Sequence, residues 1–314
     1  RANLDIPSVY KKAKALGARG IGLYRSEFLF NQFKGFPTEN EQAAAYSEIA
    51  DFAGPDGVKI RTFDLNAEQL YGEAAAREKN PALGLRAVRL SFSHLKEFRT
   101  QLRALLRASF DRNIDIVVPM ISGVDELRHV REIIDSERES LTRKGVTTGN
   151  PRLGAMIEVP SALFLANELA EESDFISLGT NDLVQYLLAA DRDNESVADW
   201  FRTLHPAVIR ALRQVATAST QAGKPLIVCG EMAGSPFYLP LLIGLGVSEL
   251  SMNMNSISRI RRMIAGIAYE ECVSLAKEAL TFRTADDIEH CMFQHIRTKW
   301  SHLFPPDFFK NRRL

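Results

Sequence analysis

The chain has 314 residues, 46% of them hydrophobic and 25% charged, with no low-complexity tract, a composition that specifies a soluble globular fold. Lys+Arg and Asp+Glu are equal at 39 each, so the basic excess of a nucleic-acid binder is missing. No apolar run approaches the ~20 residues of a membrane helix; the longest, 237–247, is interrupted by Pro240, Gly244 and Gly246.

Short β-rich apolar runs alternate with longer helical patterns, the sequence sign of parallel βα units. Strands are expected at 2–5, 20–24, 58–63, 114–119, 153–159, 175–178, 226–229 and 249–252. Several are predominantly apolar, as expected for strands buried on both faces. Helical patterns cover 8–16, 39–52, 93–110, 124–139 and 206–222. Eight strands joined by helices predict an α/β fold of (β/α)8 TIM-barrel type, which uses ~250 residues. An open doubly wound sheet is the competing fold, but no Gly-x-Gly-x-x-Gly turn follows any strand. Residues 64–90 are long for one loop and predict an excursion over the barrel mouth after the third strand. The expected division is a barrel domain over 1–285 and a helical C-terminal extension over 286–314. The first residues, Arg1-Ala2-Asn3, carry no signal-peptide apolar region and read as the start of a domain cut from a longer protein. Cys229, Cys272 and Cys291 are odd in number and widely spaced. That fits neither a disulfide framework nor a zinc knuckle, and it does fit a reducing cytoplasm.

A barrel of this kind builds its active site at the carboxyl ends of its strands. The residues at or just past those ends are Arg25, Arg61, Glu158, Asn181 with Asp182, and Cys229. Core packing does not explain charged or reactive side chains at one end of five strands. Glu158 and Asp182 end neighbouring strands, ~4.8 Å apart, and could reach one cation. Two carboxylates with substrate phosphate and water suit Mg²⁺, and no histidine stands near them to favour zinc. Arg25, Arg61 and Arg86 offer forked donors for phosphate or carboxylate oxygens, and Arg192 could close the far side. Arg99, Arg103 and Arg107 repeat at i, i+4 and read as one exposed helix face. Cys229, beside Gly230, is either a small buried hydrophobe or a proton donor or nucleophile.

Five blocks in order, GIGLYRSEFLF (20–30), NPALGLRAVR (80–89), MIEVPSA (156–162), GTNDLVQYLLAADR (179–192) and CGEMAGSP (229–236), resemble the signature blocks of enzyme I of the bacterial phosphotransferase system, a phosphoenolpyruvate-protein phosphotransferase. Pyruvate phosphate dikinase and phosphoenolpyruvate synthase share the barrel, but the GLYR-x-EFLF and NPALG forms are closer to enzyme I. The resemblance implies a cytoplasmic transferase of a sugar or nitrogen relay. In it this barrel is the phosphoenolpyruvate-binding dimerisation domain. It implies Mg²⁺ on Glu158 and Asp182, and phosphoryl-binding Arg25 and Arg61. Arg86, Asn181 and Arg192 would bind substrate, and Cys229 would be the acid that protonates the enolate as pyruvate forms. The acceptor histidine, and docking of a small phosphocarrier protein, would belong to an amino-terminal portion. None of the six histidines here lies in the family's glycine-rich phosphohistidine context. No nucleic-acid or membrane partner is expected, and a homodimer is. The sequence departs from the family's RTLDIGGDK block, reading RTFDLNAEQ over 61–69. Asn66 and Ala67 replace glycines and Gln69 replaces a lysine; Ser235 stands where aspartate is common. Two other functions stay open: a module that binds phosphoenolpyruvate or pyruvate with reduced turnover, and the barrel of a dikinase or synthase.

Overall fold

A computed structural model describes residues 1–72 and 78–309. Eight parallel strands form one sheet in sequence order: β1 (Ala2–Leu4), β2 (Ile21–Arg25), β3 (Val58–Arg61), β4 (Ile114–Val118), β5 (Arg152–Ile157), β6 (Phe175–Leu178), β7 (Leu226–Val228) and β8 (Glu249–Leu250). A parallel bridge between Ala2 and Met252 returns the last strand to the first and closes the barrel. All eight strands form within one or two residues of their expected bounds.

Strand alternation sorts the side chains. Val58 and Ile60, Ile114, Ile116 and Val118, Leu153, Ala155 and Ile157, Ile176 and Leu178, and Leu226 and Val228 all join the large core packed against the helices. The intervening positions point into the barrel, where Leu23, Val117, Met156, Phe175 and Cys229 pack together. Lower in the interior, buried Lys59 pairs with Asp115 at 2.9 Å and lies over the Phe175 ring at 4.5 Å. Asp115 also accepts from Arg152, so this charge set is mutually compensated, as burial requires. Two residues past Lys59 on β3, and six past Arg152 just beyond β5, the same parity delivers Arg61 and Glu158 to the other end.

The helix Leu95–Ala108 buries Phe98, Leu102, Leu105 and Leu106. Its arginines correct the expectation of a plain exposed face. Arg103 reaches Glu39 at 2.7 Å and Glu137 at 3.0 Å, Arg107 reaches Glu39 at 2.7 Å, and Arg99 also pairs with Glu137. These pairs tie Leu95–Ala108 to the helices Glu39–Ala53 and Val124–Arg143 on either side. Beyond β8 the chain runs through the helices Met254–Ala265, Tyr269–Ala279 and Ala285–Lys299. Among the described residues no helix is long and apolar enough to cross a membrane.

The excursion after β3 carries a short helix, Ala67–Tyr71, and returns through an antiparallel bridge between Asn66 and Arg86. That bridge sets Arg86 beside the end of β3; the part of the excursion over 73–77 lies outside the described residues.

Candidate active site

The mouth at the carboxyl ends of the strands encloses a cavity of about 870 Å³. Arg25, Arg61, Arg86, Glu158, Asn181, Asp182, Arg192 and Cys229 all line it. β5 and β6 are neighbours, as expected. Glu158 follows the end of β5 directly, whereas Asn181 and Asp182 sit in the first turn of the helix Thr180–Leu188 rather than at the end of β6.

Carboxylates and guanidinium groups interleave around the cavity. Arg61 pairs with Glu27 at 3.2 Å and Asp64 at 3.0 Å. Arg86 grips Asp64 through two nitrogens, lies 3.7 Å from Asp182, and donates to the Tyr186 hydroxyl at 2.9 Å. Arg192 approaches Asp182 at 3.4 Å. Arg25 is the outermost, half exposed and paired with Asp5 at 2.6 Å. Asp64 and Glu27 were not singled out from the sequence. The signal for Asp64 was its place three residues past Arg61, just beyond β3, the strand-end rule applied one turn further on.

Glu158 is only 1% exposed and accepts the Met120 N–H at 2.7 Å. Burial, then repulsion from Asp182 and Asp64, pushes its carboxyl up to about 8, despite opposing help from Arg61 and Met120. Asp182 Oδ1 is buried without a hydrogen-bond partner. That oxygen faces the Arg192 guanidinium at 3.4 Å, and a cation between the two carboxylates would relieve the like-charge repulsion that raises Glu158. Glu158 and Asp182, both oxygen donors, therefore fit a hard divalent ion.

Cys229 is 6% exposed; its Sγ lies 3.5 Å from the Ser177 hydroxyl and 3.5 Å from the Leu178 carbonyl. Burial pushes the thiol up to about 11, with Glu158 adding to the rise and Ser177 and Arg61 opposing it. At neutral pH such a group is a protonated thiol. It can give a proton, but it is a poor thiolate nucleophile.

Backbone geometry serves the same end of the barrel. Met120, Ala87 and Ala189 are non-glycine residues with φ near +50 to +60°, a conformation that costs L-residues about 1–2 kcal/mol. Met120 turns its N–H onto Glu158, Ala87 follows Arg86, and Ala189 precedes Arg192. Such outliers concentrate at sites where geometry outranks stability. A side chain on Gly179 would collide with the Glu158 carboxylate, and one on Gly230 with Thr180. Both loops must therefore be glycine for the mouth to close around its acids. Asn181 Oδ1 accepts the Glu231 N–H at 3.0 Å and so ties the β6 loop to the β7 loop.

Within RTFDLNAEQ, Arg61 and Asp64 line the cavity, whereas the departing Asn66, Ala67 and Gln69 do not. Asn66 and Gln69 form a capping box at the start of Ala67–Tyr71, with bonds of 2.8 and 3.0 Å. Gln69 lines a separate depression with Phe30, Lys34 and Phe36. Ser235 does line the main cavity.

A closed eight-stranded barrel with guanidinium and carboxylate groups matched around its carboxyl-end mouth is an enzyme-type (β/α)8 scaffold suited to a compact anion held with a cation. Residues 1–269 match the model described as PEP-utilising enzyme, PEP-binding domain, and the chain belongs to that family. Curated relatives named phosphoenolpyruvate-protein phosphotransferase include those of Geobacillus stearothermophilus and Listeria monocytogenes. Each is 42% identical and covers 91% of this chain. That of Staphylococcus aureus is 40% identical over 295 residues. The chain spans about half the length of the curated relatives it matches, 50–51%. Among solved structures, a Haloferax volcanii malate synthase complex with pyruvate and acetyl-CoA aligns with a TM-score of 0.52 at 13% identity. It covers 80% of this chain and 64% of that one, a likeness of fold alone.

Proposed function

We propose that this barrel is the substrate-binding half of a phosphoenolpyruvate-protein phosphotransferase: it binds phosphoenolpyruvate with Mg²⁺ and yields pyruvate once the phosphoryl group has gone to a histidine outside this chain. The observation that carries this reading is the convergence of four arginines, two cation-fitting carboxylates and one protonated thiol on a single cavity. The names of relatives at 40–42% identity support it.

Arg61 and Arg25 bind the phosphoryl oxygens, and Arg86, Asn181 and Arg192 orient the substrate. Each arginine exchanges a carboxylate partner for a substrate oxygen, so little new side-chain order is required. Glu158 and Asp182 hold the Mg²⁺, which when bound supplies positive charge against the phosphoryl group and the developing enolate. Positioning and charge stabilisation are what phosphoryl transfer asks of a protein. Transfer breaks the bridging O–P bond and leaves its electron pair on the enolate. Cys229 then donates its Sγ proton to the methylene carbon, giving the methyl group of pyruvate, and the thiolate is reprotonated from solvent. The high thiol pKa keeps the proton in place until a base as strong as an enolate carbon is presented. Two copies of the chain pair in this reading, and light scattering reads that directly. In this reading the acceptor histidine, and the docking of a small phosphocarrier protein, lie on a portion of the parent protein other than this barrel.

Calorimetry with phosphoenolpyruvate is the test. Binding is expected in excess Mg²⁺ and weakened at least about tenfold in EDTA. Equal affinity in both would overturn the shared-cation role of Glu158 and Asp182.

A further inference from the structure

Far from the mouth, three potential metal ligands meet between the last two long helices. Cys291 and His295 are separated by four residues on Ala285–Lys299 and so share one face. Glu278 faces them from Tyr269–Ala279. The ligand atoms Sγ, imidazole N and carboxylate O all lie within 4.8 Å of one another. His295 Nε2 and Glu278 Oε2 are 2.9 Å apart. All three residues lie beyond the residues 1–269 that the family model matches.

From this juxtaposition we infer that Cys291, His295 and Glu278 form a binding site for a borderline-soft divalent cation of the zinc class, which pins the two helices together. A thiol, an imidazole and a carboxylate are the donor set Zn²⁺ takes, and Mg²⁺ or Ca²⁺ would not select the sulfur. Tetrahedral coordination needs ligand atoms about 3.3–3.7 Å apart, given metal–ligand bonds of about 2.0–2.3 Å. Small side-chain rotations from the observed separations reach that. Cys291 is buried, His295 is partly buried, and the Glu278 side chain is 49% exposed. Three protein ligands, with Glu278 on the solvent side, therefore leave a fourth position open to water.

Among the described residues the ion pair recorded for Glu278 is the one to His295. The Cys291 thiol is buried beside this half-exposed carboxylate. A bound cation is ligated jointly by the three side chains: the S–metal bond forms, the thiol proton leaves to solvent, and no electron is transferred.

The probe is Co²⁺ alone, titrated into the 314-residue chain. Binding at this site gives an intense thiolate-to-cobalt charge-transfer absorption that saturates near one equivalent. Cys291→Ser should abolish that band, and His295→Gln should weaken Co²⁺ at least about tenfold. Cys229→Ser and Cys272→Ala should both keep the band. Because His295→Gln changes a partly buried side chain, it remains readable even if Cys291→Ser fails to fold. No thiolate band in the wild type, a band that survives Cys291→Ser, or one that vanishes in Cys229→Ser would each overturn the assignment.

Discussion

Replacing Glu158 with glutamine should stabilise the cation-free protein, and increasingly so as the pH rises. Glu158 is buried at the rim of β5, and its carboxyl is lifted from 4.5 to about 8 by burial and by Asp182 and Asp64. A group whose folded pKa is raised contributes stability that is complete below its unfolded value and is lost as pH climbs through the folded value. The window here runs from 4.5 to about 8, and the loss approaches about 5 kcal/mol above it, at roughly 1.4 kcal/mol per pH unit. Glutamine does not titrate, and its carbonyl can still accept the Met120 N–H. In EDTA the two proteins should therefore match near pH 5 and diverge by pH 8, with Glu158→Gln melting higher by on the order of 10 °C. Urea unfolding across that range measures the same gap. In excess Mg²⁺ the gap at pH 8 should narrow by more than half: wild type gains binding energy, about 3 kcal/mol at a hundredfold excess over Kd, and the variant does not. Stability curves in EDTA that run parallel from pH 5 to pH 8 would refute the picture of a buried, proton-holding carboxyl.

Three further substitutions probe the mouth. Cys229→Ser should leave Mg²⁺-dependent phosphoenolpyruvate binding intact while slowing pyruvate release by about 10²-fold or more, assayed with the histidine-bearing portion present; an unchanged rate would make Cys229 a packing residue. Gly179→Ala puts a methyl group into the Glu158 carboxylate, so Mg²⁺-linked stabilisation in thermal melts should fall at least about tenfold in apparent affinity; an unaltered Mg²⁺ response would show that Glu158 is free to move aside. Asn66→Ala removes a helix cap and should cost about 1 kcal/mol in urea unfolding. Its phosphoenolpyruvate affinity should stay within about twofold, because the backbone bridge from Asn66 to Arg86 survives; a large loss of affinity would show that the cap shapes the cavity.

The barrel was legible because its signal is local. Runs such as Ile114–Val118 and Phe175–Leu178 are apolar but for Asp115 and Ser177 and are buried at every position, as a strand covered on both faces must be, and their spacing leaves room for one helix each. The site was legible for a related reason. Parity along a strand and the strand-end rule locate Arg61, Glu158 and Cys229 without three-dimensional information, and the resemblance supplied their roles. Partnership was not legible, because contacts between residues far apart in the chain leave no local pattern. Arg103 and Arg107 look like a solvated stripe until the helices carrying Glu39 and Glu137 flank them. Asp64 is an ordinary loop acid until Arg61 and Arg86 both close on it. Nor does any spacing rule anticipate Glu278 meeting Cys291 and His295. By itself the sequence determined which residues are strands, which way each side chain points, and which lie at the chemically useful end. Tertiary structure alone decided which charges neutralise one another and which proton Glu158 must hold, because burial and through-space distance set those energies and neither is written along the chain.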